Sequence, residues 1–301
     1  MISNKLSMKY IRVIPKLDIK GPNLIKGIEF DGHRVLGKVE DFAELYYLEG
    51  ADEIIYQDTV ASLYGRNGLL DIISKTSSKI FIPLTVAGGL RSIEDISMVL
   101  AAGADKIAIN TFATKNPNFI SESSREFGSQ CIVVSVEAYR MGDSYKLWTD
   151  YGREVTSYDA LEWGKRVEDL GAGEILLSVI NRDGRGEGYD LEFIESLSHS
   201  VSIPVIAASG AGNKKHFKEA VRQAGADAIC AASCFHYNYA IRKASDLNDK
   251  DLNLRMGKHI DQGNEDFLNF GYGGERTVTV DKIGIPELKS FLIENNIQIR
   301  P

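Results

Sequence analysis

Three cysteines, Cys131, Cys230 and Cys234, are all that 301 residues carry. They lack the paired spacing, with partner histidines or cysteines close by, that a metal site requires. Cys230 and Cys234 form a C-x3-C spacing, yet each reads as a small residue in or just after a buried strand. No metal and no cofactor is therefore expected, and free thiols fit a reducing, cytoplasmic compartment. Long apolar runs are also missing. None approaches the ~20 residues of a membrane span, and the N-terminal MISNKLSMKYIR has no signal-type apolar core. Nor is there a basic excess. A formal net charge of -7 argues against a nucleic-acid surface and leaves any bound phosphate to local dipoles.

What the chain has is one stretch written twice. Residues 82–112 read IPLTVAGGLRSIEDISMVLAAGADKIAINTF, and residues 203–235 read IPVIAASGAGNKKHFKEAVRQAGADAICAASCF. Each begins Ile-Pro and runs through a short apolar strand, a small-residue turn, an amphipathic helix and Ala-Gly-Ala-Asp to another strand. The copies lie about 121 residues apart, far beyond the roughly 20–50 of a solenoid repeat, so half a domain has been duplicated. Alternating strand and helix implies a parallel α/β fold. Such barrels run roughly 200–250 residues as one domain. The expectation is a single (β/α)8 TIM barrel over 1–301, built from two half-barrels.

Taken in order, residues 10–18 predict a first strand ending on Asp18. The next stretch, IKGPNLIKGIEFDGHRVLGK, carries Lys20, Lys26, Arg34 and Lys38 and reads as a long glycine-containing loop, a candidate lid. A helix over 39–49 leads to a strand ending on Asp58. The second half opens with QCIVVSVE, whose Glu137 takes the place Asp18 holds in the first. A small hairpin is predicted over 144–155 and a helix near 157–170, before GAGEILLSVINRDGRGEGYD. Eight strand–helix units result. Residues 237–277 are polar and weakly periodic, an insertion after the last strand that would emerge on the catalytic face. A helix over about 285–294, with Pro286 in its first turn, closes the chain.

Active sites of these barrels lie at the C-terminal strand ends. Asp18, Asp58, Asn110, Thr111, Glu137, Ser178, Asp183 and Ser233 fall there. Asp18 and Glu137 sit at symmetric ends, facing each other across the mouth, where they could divide acid and base work. One such carboxylate alone would more simply cap a loop; a symmetric pair favours catalysis. Ala87-Gly88-Gly89 with Asn110-Thr111 makes one candidate anion site, and Ser209-Gly210-Ala211-Gly212 with Ala232-Ser233 the other. Glycine lets backbone approach a phosphate, and the following helix N-terminus offers free N–H groups. Asp183-Gly184 is expected to join the first rim from across the barrel. Two such turns imply one ligand with a phosphate at each end. At the opposite strand ends, Arg12, Glu53, Lys106 and Glu174 predict a ring of two bases and two acids, either structural or a polar gate through the core.

These residues resemble the HisF family, the synthase or cyclase subunits of imidazole glycerol phosphate synthase. The likeness runs from about 10 to 236 and resumes at 278–300, on LDIK, GADEIIYQD, TVAGG, ADKIAINT, FGSQCIVVSVEA, GAGEILLSVINRDG and PVIAASGAG. It implies a HisH-like glutaminase docked on the barrel bottom, with ammonia passing Arg12, Glu53, Lys106 and Glu174. At the top, ammonia would meet a bisphosphorylated ribulosyl aminoimidazole carboxamide nucleotide (PRFAR), giving imidazole glycerol phosphate and AICAR. Asp18 would be the acid/base, Glu137 its partner, and Lys26 a loop residue over the substrate. Three departures stand out. Glu137 replaces the usual Asp. Glu29 and HRVLGKV replace an Asn and an R-D-x-G-D-P run. Ala208-Ser209-Gly210 replaces the start of A-S-G-G-A-G. HisF-like paralogues of the WbuZ type, in surface-polysaccharide gene clusters, imply the alternative: ammonia delivery toward an N-acetyl-sugar amidotransferase.

Overall fold

The computed structural model describes residues 9–60, 67–246 and 280–300. Strand β1 (Arg12–Lys20) runs into an antiparallel hairpin, β2 (Asn23–Ile28) and β3 (Asp31–Lys38), and then helix α1 (Val39–Leu48). Next come β4 (Ile54–Asp58), α2 (Asn67–Ser77), β5 (Leu84–Ala87), α3 (Ile93–Ala101), β6 (Lys106–Ile109), α4 (Thr111–Lys115) and α5 (Asn118–Phe127). The second half repeats the plan. It contains β7 (Ile132–Met141), a hairpin of β8 (Ser144–Thr149) and β9 (Glu154–Asp159), α6 (Ala160–Asp169), β10 (Glu174–Val179) and α7 (Leu191–Ser198). It ends with β11 (Val205–Ala208), α8 (Lys214–Arg222), β12 (Ala228–Ala231) and α9 (Ser233–Asp246), and α10 (Ile285–Glu294) closes the ring of helices.

Eight parallel strands close on themselves in the order β1-β4-β5-β6-β7-β10-β11-β12. Arg12 registers with Ala228 where β1 meets β12, and Glu137 with Ser178 where β7 meets β10. This is the (β/α)8 barrel. Its strands are buried on both faces, which is why they read as unbroken apolar runs. One face packs under the helices, as Leu17, Val134 and Leu177 do with Phe42, Trp163 and Phe217. The other fills the barrel interior with Ile14, Ile55, Val133, Leu176, Ile206 and Cys230.

The repeated Gly-Ala-Asp sequence has a structural job. Gly103 and Gly225, at φ +114° and +72°, let the chain leave a helix in the left-handed region. The aspartate that follows stitches the bottoms of neighbouring strands together. Asp105 accepts from Leu84 N–H, Asp227 from Val205 N–H and Asp52 from Val13 N–H, each at 2.8 Å. Equal sequence positions in the two halves thus perform equal work.

The stretch after Asp18 is where the structure departs most from expectation. Residues 23–38 form an ordered two-stranded extension rather than a loop. β2 continues the sheet from β1, with Asp18 opposite Ile25. Its apolar positions Leu24 and Ile25 are buried against the barrel, which glycine content alone did not reveal. β7 carries the matching hairpin, as expected over 144–155. After Ser233 the chain stays helical to Asp246, with Tyr237 and Ala240 buried, so the first ten residues of the stretch read as an insertion belong to α9. The rest of it, 247–277, lies outside the described residues. Among the described residues no helix is long and apolar enough to cross a membrane.

Candidate active site

On the inner face of β1, period-two alternation places Ile14, Lys16 and Asp18 in one column. Asp18 is 1% exposed and Lys16 only 7%. The Lys16 ammonium donates to Asp18 Oδ1 at 2.8 Å, and Lys26, on β2, donates to Asp183 Oδ2 at 2.7 Å. Burial opposes ionisation of Asp18, but the Lys16 and Lys26 charges outweigh it and hold its carboxyl below the ordinary value. Glu137 ends in the opposite state. Burial pushes its carboxyl up to about 7, offset only in part by the Gly152 N–H, Lys16 and Asn110. Below about pH 7 the two symmetric carboxylates therefore differ in charge, Asp18 ionised and Glu137 largely protonated.

The hairpins meet over this pair. Each turn carries two successive residues in the left-handed region, Glu29 and Phe30 (φ 51° and 63°) in one, Asp150 and Tyr151 (φ 54° and 57°) in the other. That geometry presents Phe30 to Tyr151, whose rings stack at 4.5 Å and 19°. The Lys16 ammonium lies 5.4 Å from the Phe30 ring centre and 5.8 Å from that of Tyr151, within cation–π range. The Gly152 N–H donates to Glu137 Oε2 at 3.0 Å, tying the second turn to the carboxylate below it.

Two cavities flank the pair, and they are unequal. The first, about 400 Å³, is lined by Gly88, Gly89, Asn110, Thr111, Glu137 and Tyr151, among others. Gly88 sits at φ +114°, and a Cβ there would lie 2.5 Å from the Asp58 carbonyl oxygen, so glycine is required. The second, about 20 Å³, is lined by both lysines, Asp18, Ser209, Gly210, Ala232 and Ser233. A Cβ on Gly210 would lie 2.2 Å from the Gly188 carbonyl oxygen. Asp183 and Gly184 line this second cavity, not the first rim as expected, because Asp183 is drawn to Lys26. Ser178 is buried in register with Glu137 and lines neither cavity.

Another expectation is corrected here. The helix ends after the glycine turns are partly capped by their own side chains. Asp95 accepts from the Arg91 and Ser92 N–H groups and Ser92 from Asp95 N–H, a capping box on α3. Asn213 accepts from Lys215 and His216 N–H on α8, and Gly212 N–H donates to His216. An anion at the first turn would meet the glycine backbone and the Asn110–Thr111 start of α4, whose N-cap makes no side-chain hydrogen bond. One at the second would meet the glycine backbone, Ser233 at the start of α9 and the buried lysines.

At the bottom of the barrel the four charges close into an alternating ring. Arg12 pairs with Glu53 at 2.6 Å and with Glu174, and Lys106 lies 2.9 Å from Glu53 and 3.0 Å from Glu174. Thr85 donates to the remaining Glu53 oxygen at 2.6 Å. Between this ring and the carboxylate pair the interior holds apolar side chains and Cys230, with Thr85, Ser135 and Lys16 as buried polar groups among them. Among the described residues no three His, Cys, Asp or Glu side chains gather as a metal site.

The profile of the histidine biosynthesis protein family matches residues 12–240. The imidazole glycerol phosphate synthase subunit HisF of Legionella pneumophila is 52% identical over 211 residues, 70% of this chain and 100% of that protein. Proteins of the same name from Bacillus cereus (strain G9842) and Metallosphaera sedula are each 44% identical over 246 residues, 81% of this chain and 98% of theirs. The chain belongs to the HisF family.

The three departures from the HisF pattern now have physical content. Glu29 accepts from Arg185 at 2.6 Å, and its N–H donates to the Asp183 carbonyl at 3.0 Å, clasping the first hairpin to the second half. Glu137 reaches the Gly152 N–H of the other hairpin. Ser209 sits at φ 73°, a left-handed conformation that glycine adopts without strain. Lys16, Phe30 and Tyr151 escaped the sequence reading. Lys16 was recoverable, since it lies two residues before Asp18 and so shares its face of β1. Phe30 and Tyr151 were not, since only the turn geometry brings them together.

Proposed function

We propose that this chain is the synthase (cyclase) subunit of a glutamine amidotransferase complex, converting PRFAR and ammonia into imidazole glycerol phosphate and AICAR. One observation carries the reading: two buried carboxylates at symmetric strand ends, Glu137 beside the first glycine turn and Asp18 beside the second, stand between two turns able to take phosphates. Family membership and the names of the relatives support it.

In this reading ammonia enters through the ring of Arg12, Glu53, Lys106 and Glu174, supplied by a HisH-like glutaminase on the lower face. Exposed Tyr10 (55%), Leu48 (73%) and Phe81 (79%) at the lower ends of β1, α1 and β5 favour a partner there. The mostly apolar interior above the ring, with the Lys16 charge near its top, takes neutral ammonia and resists ammonium, because an unpaired charge is costly to bury and a like charge repels it. Phosphates held at the two turns stretch the substrate across the mouth. Ionised Asp18 accepts the proton that nitrogen sheds as its bond to carbon forms. Protonated Glu137 returns one to the departing AICAR nitrogen, and Lys26 neutralises the substrate from the second cavity.

The test is AICAR release from PRFAR with ammonium salt. Turnover should exceed that of Asp18→Asn, and equal rates would end this reading. A second reading, ammonia delivery to an N-acetyl-sugar amidotransferase, is favoured by the second cavity, whose 20 Å³ is too small for a phosphate unless its lining opens. It predicts glutamine-dependent sugar amidination only when this chain, a glutaminase and the transferase are combined.

A further inference from the structure

We propose that Lys16 sets the division of labour between Asp18 and Glu137, as a positioning residue that acts through both carboxylates. The inference rests on the reading of that pair as the reacting groups.

The geometry is unusual for a lysine. Its side chain is almost wholly buried, on the inner face of a central barrel strand, where an ammonium is costly unless paired. Its one direct carboxylate partner is Asp18, at 2.8 Å, and the rings of Phe30 and Tyr151 cover it from above. The backbone below is clamped as well. The His236 Nε2–H donates to the Lys16 carbonyl at 3.0 Å, while the Tyr46 hydroxyl donates to His236 Nδ1 at 2.7 Å. Burial keeps that imidazole neutral, with its value driven down to about 3. The strand at Lys16 is thus fixed, and its ammonium is held by Asp18 under the two rings, near enough to Glu137 for its charge to act there.

The titratable groups around Lys16 and the two carboxylates include His33 on β3, which faces Asp18 and Lys26, and Asp150 on the second hairpin turn, which faces Glu137. Asp18 lies on the same strand as Lys16, Lys26 on β2, Glu137 on β7, Tyr151 on the second hairpin turn, Asp183 after β10, Cys230 on β12 and His236 on α9. Against this background the Lys16 charge favours ionisation of Asp18 and of Glu137 alike. The close contact with Asp18 makes it a dedicated base. The weaker influence on Glu137 stops burial from carrying that carboxyl far above neutrality, where it could no longer release its proton.

The test compares Lys16→Met, which keeps volume and loses charge, with Lys16→Arg, which keeps charge. The first readout needs no substrate: titration of the two carboxyls in the free protein by carbon-13 NMR, with Asp18→Asn and Glu137→Gln as assignments. In Lys16→Met both carboxyls should titrate at higher pH, Asp18 by about one pH unit or more, and Lys16→Arg should restore both. The second readout is the pH profile of AICAR release, where both limbs should move alkaline in Lys16→Met. Carboxyls that titrate as in the wild type, or a profile lowered in height but fixed in position, would overturn the proposal. If the carboxyls move but no variant and no wild type releases AICAR, the proposed reaction is wrong and the role of Lys16 stands. If Lys16→Met does not fold, Lys16→Arg decides: matching titrations support the proposal, and displaced ones refute it.

Discussion

Replacing Glu137 by Gln should make the protein more stable and less active, and the size of the gain should depend on pH. Burial moves this carboxyl from 4.5 to about 7. At about 1.4 kcal/mol per pH unit, the folded state then carries a penalty of roughly 3 kcal/mol once the group ionises. The sign follows from proton counting. Between 4.5 and about 7 the unfolded chain has lost the proton and the folded chain still holds it. Stability therefore falls as pH rises through this window and levels off above it. A neutral amide escapes the penalty while its carbonyl still accepts the Gly152 N–H. Equilibrium urea unfolding of wild type and Glu137→Gln at pH 4 and pH 8 measures the effect. The variant should gain roughly 3 kcal/mol at pH 8 and almost nothing at pH 4. An equal difference at both values would mean that Glu137 is not buried in its neutral form, and the charge asymmetry with Asp18 would fail with it.

Other consequences follow from single distances. Lys106→Ala or Glu174→Ala opens the charged ring, and, in the proposed reading, glutamine-dependent turnover with a HisH-like glutaminase added should fall much further than ammonia-dependent turnover; equal losses would make the ring structural. Ser209→Gly should be more stable than Ser209→Ala by about 1 kcal/mol in urea unfolding, because only the glycine relieves the left-handed backbone at φ 73°. Phe30→Ala removes a stack worth about 0.5–1.5 kcal/mol and bares the Lys16 ammonium, so inorganic phosphate should bind more tightly by calorimetry; unchanged affinity would mean the rings do not shield that charge.

The barrel was legible because its duplication is written in the chain: two Ile-Pro strands, two small-residue turns and Ala-Gly-Ala-Asp at one spacing. The four-charge ring was legible for a related reason, since acids and bases opening central strands have nowhere to point except at one another. The hairpin after β1 was not, because its strands are short, glycine-rich and only half apolar, and their pairing with β1 supplies the order. The charge at the mouth was hidden by local events. Ser92 and Asn213 take up some of the helix N–H groups that glycine turns usually leave open. Asp183 turns toward Lys26, a residue 157 positions earlier in the chain, and so joins the second cavity. Side-chain choices between distant segments leave no periodic trace.

The most direct test of a ligand stretched between the two turns is phosphorus-31 NMR of PRFAR bound to Asp18→Asn. Both phosphate resonances should shift on binding. Gly88→Ala, whose new methyl would press on the Asp58 carbonyl, should release only one of them. Gly210→Ala, pressing on the Gly188 carbonyl, should release only the other. A single shifted resonance that answers to Gly88→Ala alone would contradict the account, leaving the first turn as an anion site and the second as packing.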